Sequence, residues 1–383
     1  MQSIRKYISE NIWIIKIPLS LTVIILTAVY SVPVMDFFIK SSNSHTLSGY
    51  ADNMNFSEHR DLTTVNTVQV TTEQTPTADL HSEPSSREEE TTEKYTYETP
   101  EDVLLTESEY LSVFSKTEPA GTVEEVFFRT SGATDTISGI SIKNATSTKK
   151  PDFARLLEEG PVLSLKNTAE PVVLIFHTHT TEAYLPSYNG LFYEDFQTRS
   201  TDSTQNMIRV GEEICKVLEN NGIGYIHDKN IYDESYEGAY SRSRVTVEKY
   251  LEQYPSIEIV LDVHRDAIYY SDSSHCKPTA EINGRKAAQI MIITGAQEGY
   301  ISDFPHWEDN LRFALCFQKT AEEMYEGLMK PIYFCQRKYN MDTAKCSLLL
   351  EMGTDANTLD EALYSAYMTG QVLTRIIESH KGE

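Results

Sequence analysis

The chain has 383 residues and a formal net charge of −24. That is enough for one sizeable domain with appendages or two small ones, and the acidity argues against a nucleic-acid partner. The charge is localised: residues 51–110 hold 15 Asp or Glu against 3 Lys or Arg, so 15 − 3 = 12 of the 24 excess negatives lie there. The sign therefore belongs to a segment rather than to the whole fold.

In chain order, residues 1–16 carry Arg5, Lys6 and Lys16 and precede an uncharged stretch of 19 residues, 17–35. That length is close to what a membrane helix needs. The flanking charges place the N-terminus in the cytoplasm and everything after Met35 outside. A cleaved signal peptide, with Ala28 and Ser31 near a cut, is the rival reading, but its apolar core would be shorter. Residues 36–115 are rich in Thr, Ser, Glu and Pro and poor in large aliphatics, so they are expected to form a disordered linker. A coil of about 80 residues spans roughly 50 Å, more if charge extends it. Residues 116–383 then form an extracytoplasmic domain.

Within that domain, 126–132 and 162–166 are short strand candidates, and PVVLIF at 171–176 has the continuous apolar character of a buried strand. A helix begins near Asp202 or Ser203 and presents Met207, Val210, Ile214, Val217 and Leu218 on one face, ending at NNG, 220–222. Strands follow at 223–227, 257–264, 287–295, 331–336 and 346–353, and helices at 240–254, 307–328 and 359–378. Asn283 and Gly284 mark a hairpin turn, and Asn357 and Asp360 suit the cap of the last helix. Strands alternating with helices predict an α/β fold, a mainly parallel sheet with helices on both faces. The five cysteines, Cys215, Cys276, Cys316, Cys335 and Cys346, are odd in number and lack a C-x-x-C spacing. Buried free thiols are expected, with Cys335 and Cys346 the first pair to test for a disulfide.

Three apolar runs end in chemistry. PVVLIFHTHTTE carries His177, His179 and Glu182; EIVLDVHRDA carries His264, Arg265 and Asp266; CSLLLEMG carries Glu351. Strand ends are rigid and open at the sheet edge where α/β folds bind ligands. A single histidine there is more often structural, but two such ends surrounded by carboxylates fit a hydrolytic zinc site, which takes three protein ligands and leaves room for water. Glu182 and His264 are candidate ligands with one histidine of the first motif. His177 is favoured because it stands at the strand terminus, whereas His179 forms an H-x-x-E pair with Glu182 on one side of a helical turn. If His177 binds, His179 lies behind the metal or against substrate. Arg265 and Asp266 could orient the imidazole or bind substrate. A carboxylate leaving a buried run is costly unless used, which makes Glu351 the candidate general base. The tyrosines at 184, 188, 193, 269 and 270 suit either stacking on sugar or peptide, or packing at the rim.

FHTHTTEAY, DVHRDA and LLLEMGTDANTLDEA, in this order and behind one N-terminal anchor, resemble the stage II sporulation protein P family. The resemblance spans roughly residues 160–380. It implies a fold like that of the zinc-dependent N-acetylmuramoyl-L-alanine amidases and a membrane-held peptidoglycan hydrolase, with amidase and endopeptidase activity, acting in spore engulfment. It implies His177, Glu182 and His264 as the metal motif, with Asp202 the alternative to Glu182, and Glu351 as general base. It also implies a sporulation lytic transglycosylase and a small engulfment membrane protein as partners. Competing readings are a zinc peptidase that trims stem peptides and a metal-free, membrane-tethered wall-binding scaffold. In the amidase mechanism, Arg265 or Lys277 would help hold charge on the carbonyl oxygen.

Overall fold

The apolar runs at 172–176, 259–261, 290–293 and 348–350 are almost wholly removed from water, and they form the middle of the larger of two sheets. The computed structural model describes residues 96–103, 109, 118–193, 195–270 and 273–382. The expected anchor at 17–35 and the linker up to residue 95 lie outside them. Among the described residues no helix is long and apolar enough to cross a membrane.

The elements run β1 (Pro119–Val126), β2 (Asp135–Ile137), β3 (Ile140–Asn144), α1 (Phe153–Glu159), β4 (Pro171–Phe176), β5 (Leu191–Tyr193), α2 (Met207–Asn220) and β6 (Gly224–His227). They continue with α3 (Ala239–Gln253), β7 (Ile259–Asp266), β8 (His275–Ile282), β9 (Arg285–Ala288), β10 (Ile290–Gly295), α4 (Trp307–Met324), β11 (Ile332–Cys335), β12 (Cys346–Thr354) and α5 (Leu359–Ser379). Eight strands form one sheet in the order β2-β3-β11-β10-β12-β7-β4-β6, and four form another, β5-β1-β8-β9.

Both sheets are mixed, which corrects the expectation of a mainly parallel one. β12, β7, β4 and β6 run parallel, whereas β10 meets β12 antiparallel, as do β2 and β3, β1 and β5, and β8 and β9. A parallel return needs a long crossover. β8 and β9 are joined only by a turn with Asn283 and Gly284 at φ 51° and 78°, and β11 reaches β12 through a loop with a single 3-10 turn, Met341–Thr343. Several expected boundaries also move. The second helix starts at Met207 with Asn206 as cap, not near Asp202. Thr358, in a reciprocal box with Glu361, caps α5 in place of Asn357 and Asp360. The run at 162–166 forms only an isolated bridge at Leu165, and the first strand ends at Val126, where one was expected to begin.

Strand alternation sorts the core into two faces. Val173 and Ile175 of β4, Ile259, Leu261 and Val263 of β7, and Leu348, Leu350 and Met352 of β12 pack with α2, α4 and α5. Leu174, Phe176 and Val260 turn the other way, against Val247, Tyr250 and Leu251 of α3. The expected face of α2, Met207, Val210, Ile214, Val217 and Leu218, is buried throughout. All five cysteines are free, and four are buried, so Cys335 and Cys346 are not bonded to each other.

Residues 96–103, inside the stretch expected to be linker, pack on the domain. Tyr97 lies 5.2 Å from Tyr364 and 5.5 Å from Tyr367 of α5, and Thr99 donates to Asp360 at 2.8 Å. A composition averaged over eighty residues hides one aromatic anchor.

The packing of α5 on α2 depends on Gly370 of α5, where an added Cβ would meet the Cβ of Val217 on α2 at 2.6 Å. Gly370→Leu should therefore lower stability by about 1–3 kcal/mol, the usual cost of overpacking a filled core. Urea unfolding checks this, and an unchanged midpoint would mean that the helices do not pack at this spacing.

Candidate metal centre

Because His264 is an even-numbered residue of β7, like Val260 and Asp262, it faces α3. Glu351 of β12 stands directly beside it in the parallel register. The third contribution comes from the turn after β4. There Glu182 N–H donates to the His179 carbonyl at 3.2 Å, which brings the two side chains to the same side. His179, Glu182 and His264 are all buried and each offers a ligand atom within 4.8 Å of the others. His179 Nδ1 is 3.2 Å from Glu182 Oε1, and His264 Nδ1 is 3.5 Å from Glu182 Oε2. A tetrahedral zinc with ligands about 2 Å away requires donor separations of roughly 3.3 Å. The residues present thus fit such an ion.

The surroundings hold these donors in place. His264 Nε2 lies 2.8 Å from Asp262 Oδ1, a charge contact rather than an aligned hydrogen bond, and its Nδ1 faces Glu182. Asp262 also accepts from Thr178 N–H at 2.8 Å and from Thr178 Oγ1 at 2.7 Å. Glu182 Oε2 accepts from the backbone N–H of Arg265 at 3.1 Å, and Arg199 approaches Oε1 at 3.5 Å. Burial opposes ionisation of Glu182, yet hydrogen bonds from His179 and His264 outweigh it and hold this carboxyl well below its usual range. Burial also opposes charge on His264, but Asp262 and then Glu182 raise it well above an ordinary histidine. A divalent cation replaces such a proton as the counter-charge.

Glu351 has the opposite character. Its Oε2 has no hydrogen-bond partner among the described residues, and only 7 % of the residue is exposed. Burial first, then the neighbouring Asp266 carboxylate, push its pKa well above the ordinary value. Asp266 accepts from Ala267 N–H at 2.8 Å, and its Oδ2 lies 3.6 Å from Lys330 Nζ. The result is a proton acceptor more basic than a solvated glutamate, beside the donor trio.

His177 does not join this group. It continues the alternation of β4, opposite to Phe176, and points toward α2, where a Cβ on Gly211 would lie 2.6 Å from its Nε2. Its Nδ1 is 2.8 Å from the Val263 carbonyl and its Nε2 is 2.9 Å from His227 Nε2, so both nitrogens are committed. Burial lowers its pKa to about 4 and that of His227 to about 2. Asp202, the alternative carboxylate, is exposed and accepts from Thr204 instead. Arg265 is not free for substrate either: its guanidinium serves the carbonyls of Ala183, Asp266 and Thr198. Lys277 is buried between Glu125 and Glu361, at 2.8 and 2.5 Å.

The pocket walls are aromatic, but they are not the expected tyrosines. Tyr184 donates to the Met352 carbonyl and Tyr269 to Asp355. Tyr236 instead stacks on His179 at 4.7 Å and is 52 % exposed, and Tyr240 stacks on His264 at 6.3 Å. Sequence reasoning also passed over Asp262, although its offset of two from His264 puts both on one strand face.

With this geometry in hand, comparison with known proteins is informative about family. The model of the stage II sporulation protein P family (SpoIIP) matches residues 38–374. Stage II sporulation protein P of Bacillus subtilis (strain 168) is 29% identical over 217 residues, covering 54% of this chain and 51% of that protein. The chain thus spans about half the length of the curated relative that it matches. Among solved structures, the N-acetylmuramoyl-L-alanine amidase AmiC2 of Nostoc punctiforme aligns with a TM-score of 0.31 at 13% identity, over 56% of this chain and 98% of that one. An N-acetylmuramoyl-L-alanine amidase from Clostridium difficile 630 aligns with a TM-score of 0.32 at 12% identity, over 55% and 97%. Since the family match extends over far more than half of its residues, the chain belongs to the stage II sporulation protein P family.

Proposed function

We propose that the chain is a zinc-dependent peptidoglycan hydrolase of sporulation that cleaves the amide between N-acetylmuramic acid and L-alanine, with stem-peptide cross-links as a second target. The observation that carries this reading is the convergence of His179, Glu182 and His264 within 4.8 Å, beside the unpartnered carboxyl oxygen of Glu351. The choice of bond follows the family resemblance. The ligand set we propose is His179, Glu182 and His264, in place of His177.

A zinc held by these three supplies Lewis acidity to the substrate carbonyl and to a water molecule. Glu351 accepts the water proton and delivers it to the leaving amine; its raised pKa serves both transfers. The Asp262 carboxylate, 2.8 Å from Nε2, would hold the His264 ring so that Nδ1 faces Glu182. The exposed ring of Tyr236 gives sugar or peptide a surface beside His179. Residues 17–35 anchor the chain with its hydrolase domain outside the cell membrane. The acidic linker lets that domain reach the wall, where it works with a lytic transglycosylase and a small engulfment membrane protein.

Digestion of isolated wall by the purified chain, read by mass spectrometry, tests the reaction. Stem peptides with a new L-alanine amino terminus are expected, and chelation should stop their release until zinc is restored. Shortened stems still joined to muramic acid would indicate a peptidase, and no release a scaffold.

Glu351→Gln should reduce turnover by roughly 10²–10⁴-fold while zinc stays bound. Metal analysis beside the assay checks both halves, and near-normal turnover would remove Glu351 as the base. His179→Ala should lose zinc and His177→Gln should keep it; the reverse pattern would return the ligand role to His177.

A further inference from the structure

The loop between β11 and β12 contains two consecutive non-glycine residues in the left-handed region, Tyr339 at φ 43° and Asn340 at φ 60°. Asparagine tolerates that region, whereas a bulky aromatic residue rarely adopts it and persists there only when its surroundings fix it. Asn340 supplies the fixing. Its Nδ2 donates to the Tyr240 carbonyl at 2.9 Å and to Ser243 Oγ at 3.1 Å, both on α3.

From Ser243 the contacts continue inward. Ser243 Oγ lies 2.8 Å from Thr178 Oγ1, which donates to Asp262 Oδ2 at 2.7 Å; Asp262 Oδ1 lies 2.8 Å from His264 Nε2. Ser243 and Thr178 are fully buried and Asn340 is 8 % exposed, so water does not compete along this path. Proton direction follows from its two ends. A backbone carbonyl only accepts, so the amide nitrogen of Asn340 must face Tyr240, and its second N–H points at Ser243. Thr178 Oγ1 donates to Asp262 Oδ2, so its one hydroxyl proton is committed there. Ser243 is left as the donor to Thr178. Its other contact, 3.2 Å to the Tyr240 carbonyl, is longer, and that carbonyl already accepts from Asn340.

We propose that Asn340 is a positioning residue for the metal pocket: through Ser243, Thr178 and Asp262 it sets the direction of a buried donor chain that ends by presenting His264 Nδ1. This rests on the zinc reading above. The relay ties the β11–β12 loop to His264 on β7, which it does not touch: three hydrogen bonds lead from Asn340 to Asp262, whose Oδ1 makes the 2.8 Å charge contact with His264 Nε2.

Two variants of the full chain test it. Asn340→Gly keeps the left-handed backbone and deletes only the donor. Ser243→Ala removes the middle link. Zinc affinity, measured by competition with a chromogenic chelator, should weaken by about 10-fold in each, the lower end of what outer-shell partners contribute. The double variant should weaken by about the same 10-fold, because members of one network do not add. Urea midpoints are recorded in parallel, since a merely structural role would lower the midpoint and leave zinc affinity alone. Single variants within about twofold of the unaltered chain, or a double variant at the product of the two losses, would overturn the relay. An unaltered chain that binds no zinc would overturn the zinc reading and the relay with it, whereas zinc binding that ignores these substitutions overturns the relay alone.

Discussion

Asp262 is a carboxylate only 2 % exposed in the middle of a central strand, and the site is arranged around the cost of burying it. Such a group is tolerated only when its lone pairs are filled. Thr178 occupies two of them with its backbone N–H and its hydroxyl, and His264 Nε2 lies against Oδ1 at 2.8 Å as a charge partner. The first two bonds fasten the segment after β4 to β7, which is what carries His179 and Glu182 to the α3 side of the sheet. The charge contact with Nε2 draws the imidazole that they meet toward Asp262. Removing the charge of Asp262 would thus loosen two separate pieces of the pocket at once.

Around this anchor the charges are sorted by what each carboxyl touches. Glu182 receives imidazole nitrogens and a backbone N–H and stays ionised; Glu351, next to His264 in register but without a partner for Oε2, is driven toward its neutral form. Asp266 contributes to that pressure and is itself approached by Lys330. Two glutamates of the same intrinsic acidity are thus given opposite proton affinities by their environments, the kind of division that the proposed metal-assisted hydrolysis would use.

Much of this could be read from the residues. The runs ending in His264 and Glu351 were legible because a buried strand terminating in a polar residue is a strong local pattern, and their side-by-side register follows from parallel pairing of two such runs. The choice between His177 and His179 was harder. Alternation alone puts His177 opposite Phe176, but which face of β4 belongs to the site depends on β7, more than eighty residues away. Asp262 was hidden by its neighbours, since a single acid inside IVLDVH looks like an interruption of a strand rather than its purpose. The β8–β9 hairpin was legible in Asn283 and Gly284, but the other antiparallel pairs were not, because the sequence of elements says nothing of how short connections force a return. Tyr97 was lost in an acidic average.

The central claim is that one ion joins His179, Glu182 and His264. Anomalous diffraction at the zinc edge from crystals of the zinc-loaded chain tests it most directly. A peak about 2.0–2.2 Å from His264 Nδ1, a His179 ring nitrogen and a Glu182 oxygen is predicted. A peak at His177 or His227, or one bound through His264 Nε2 in place of its contact with Asp262, would contradict it.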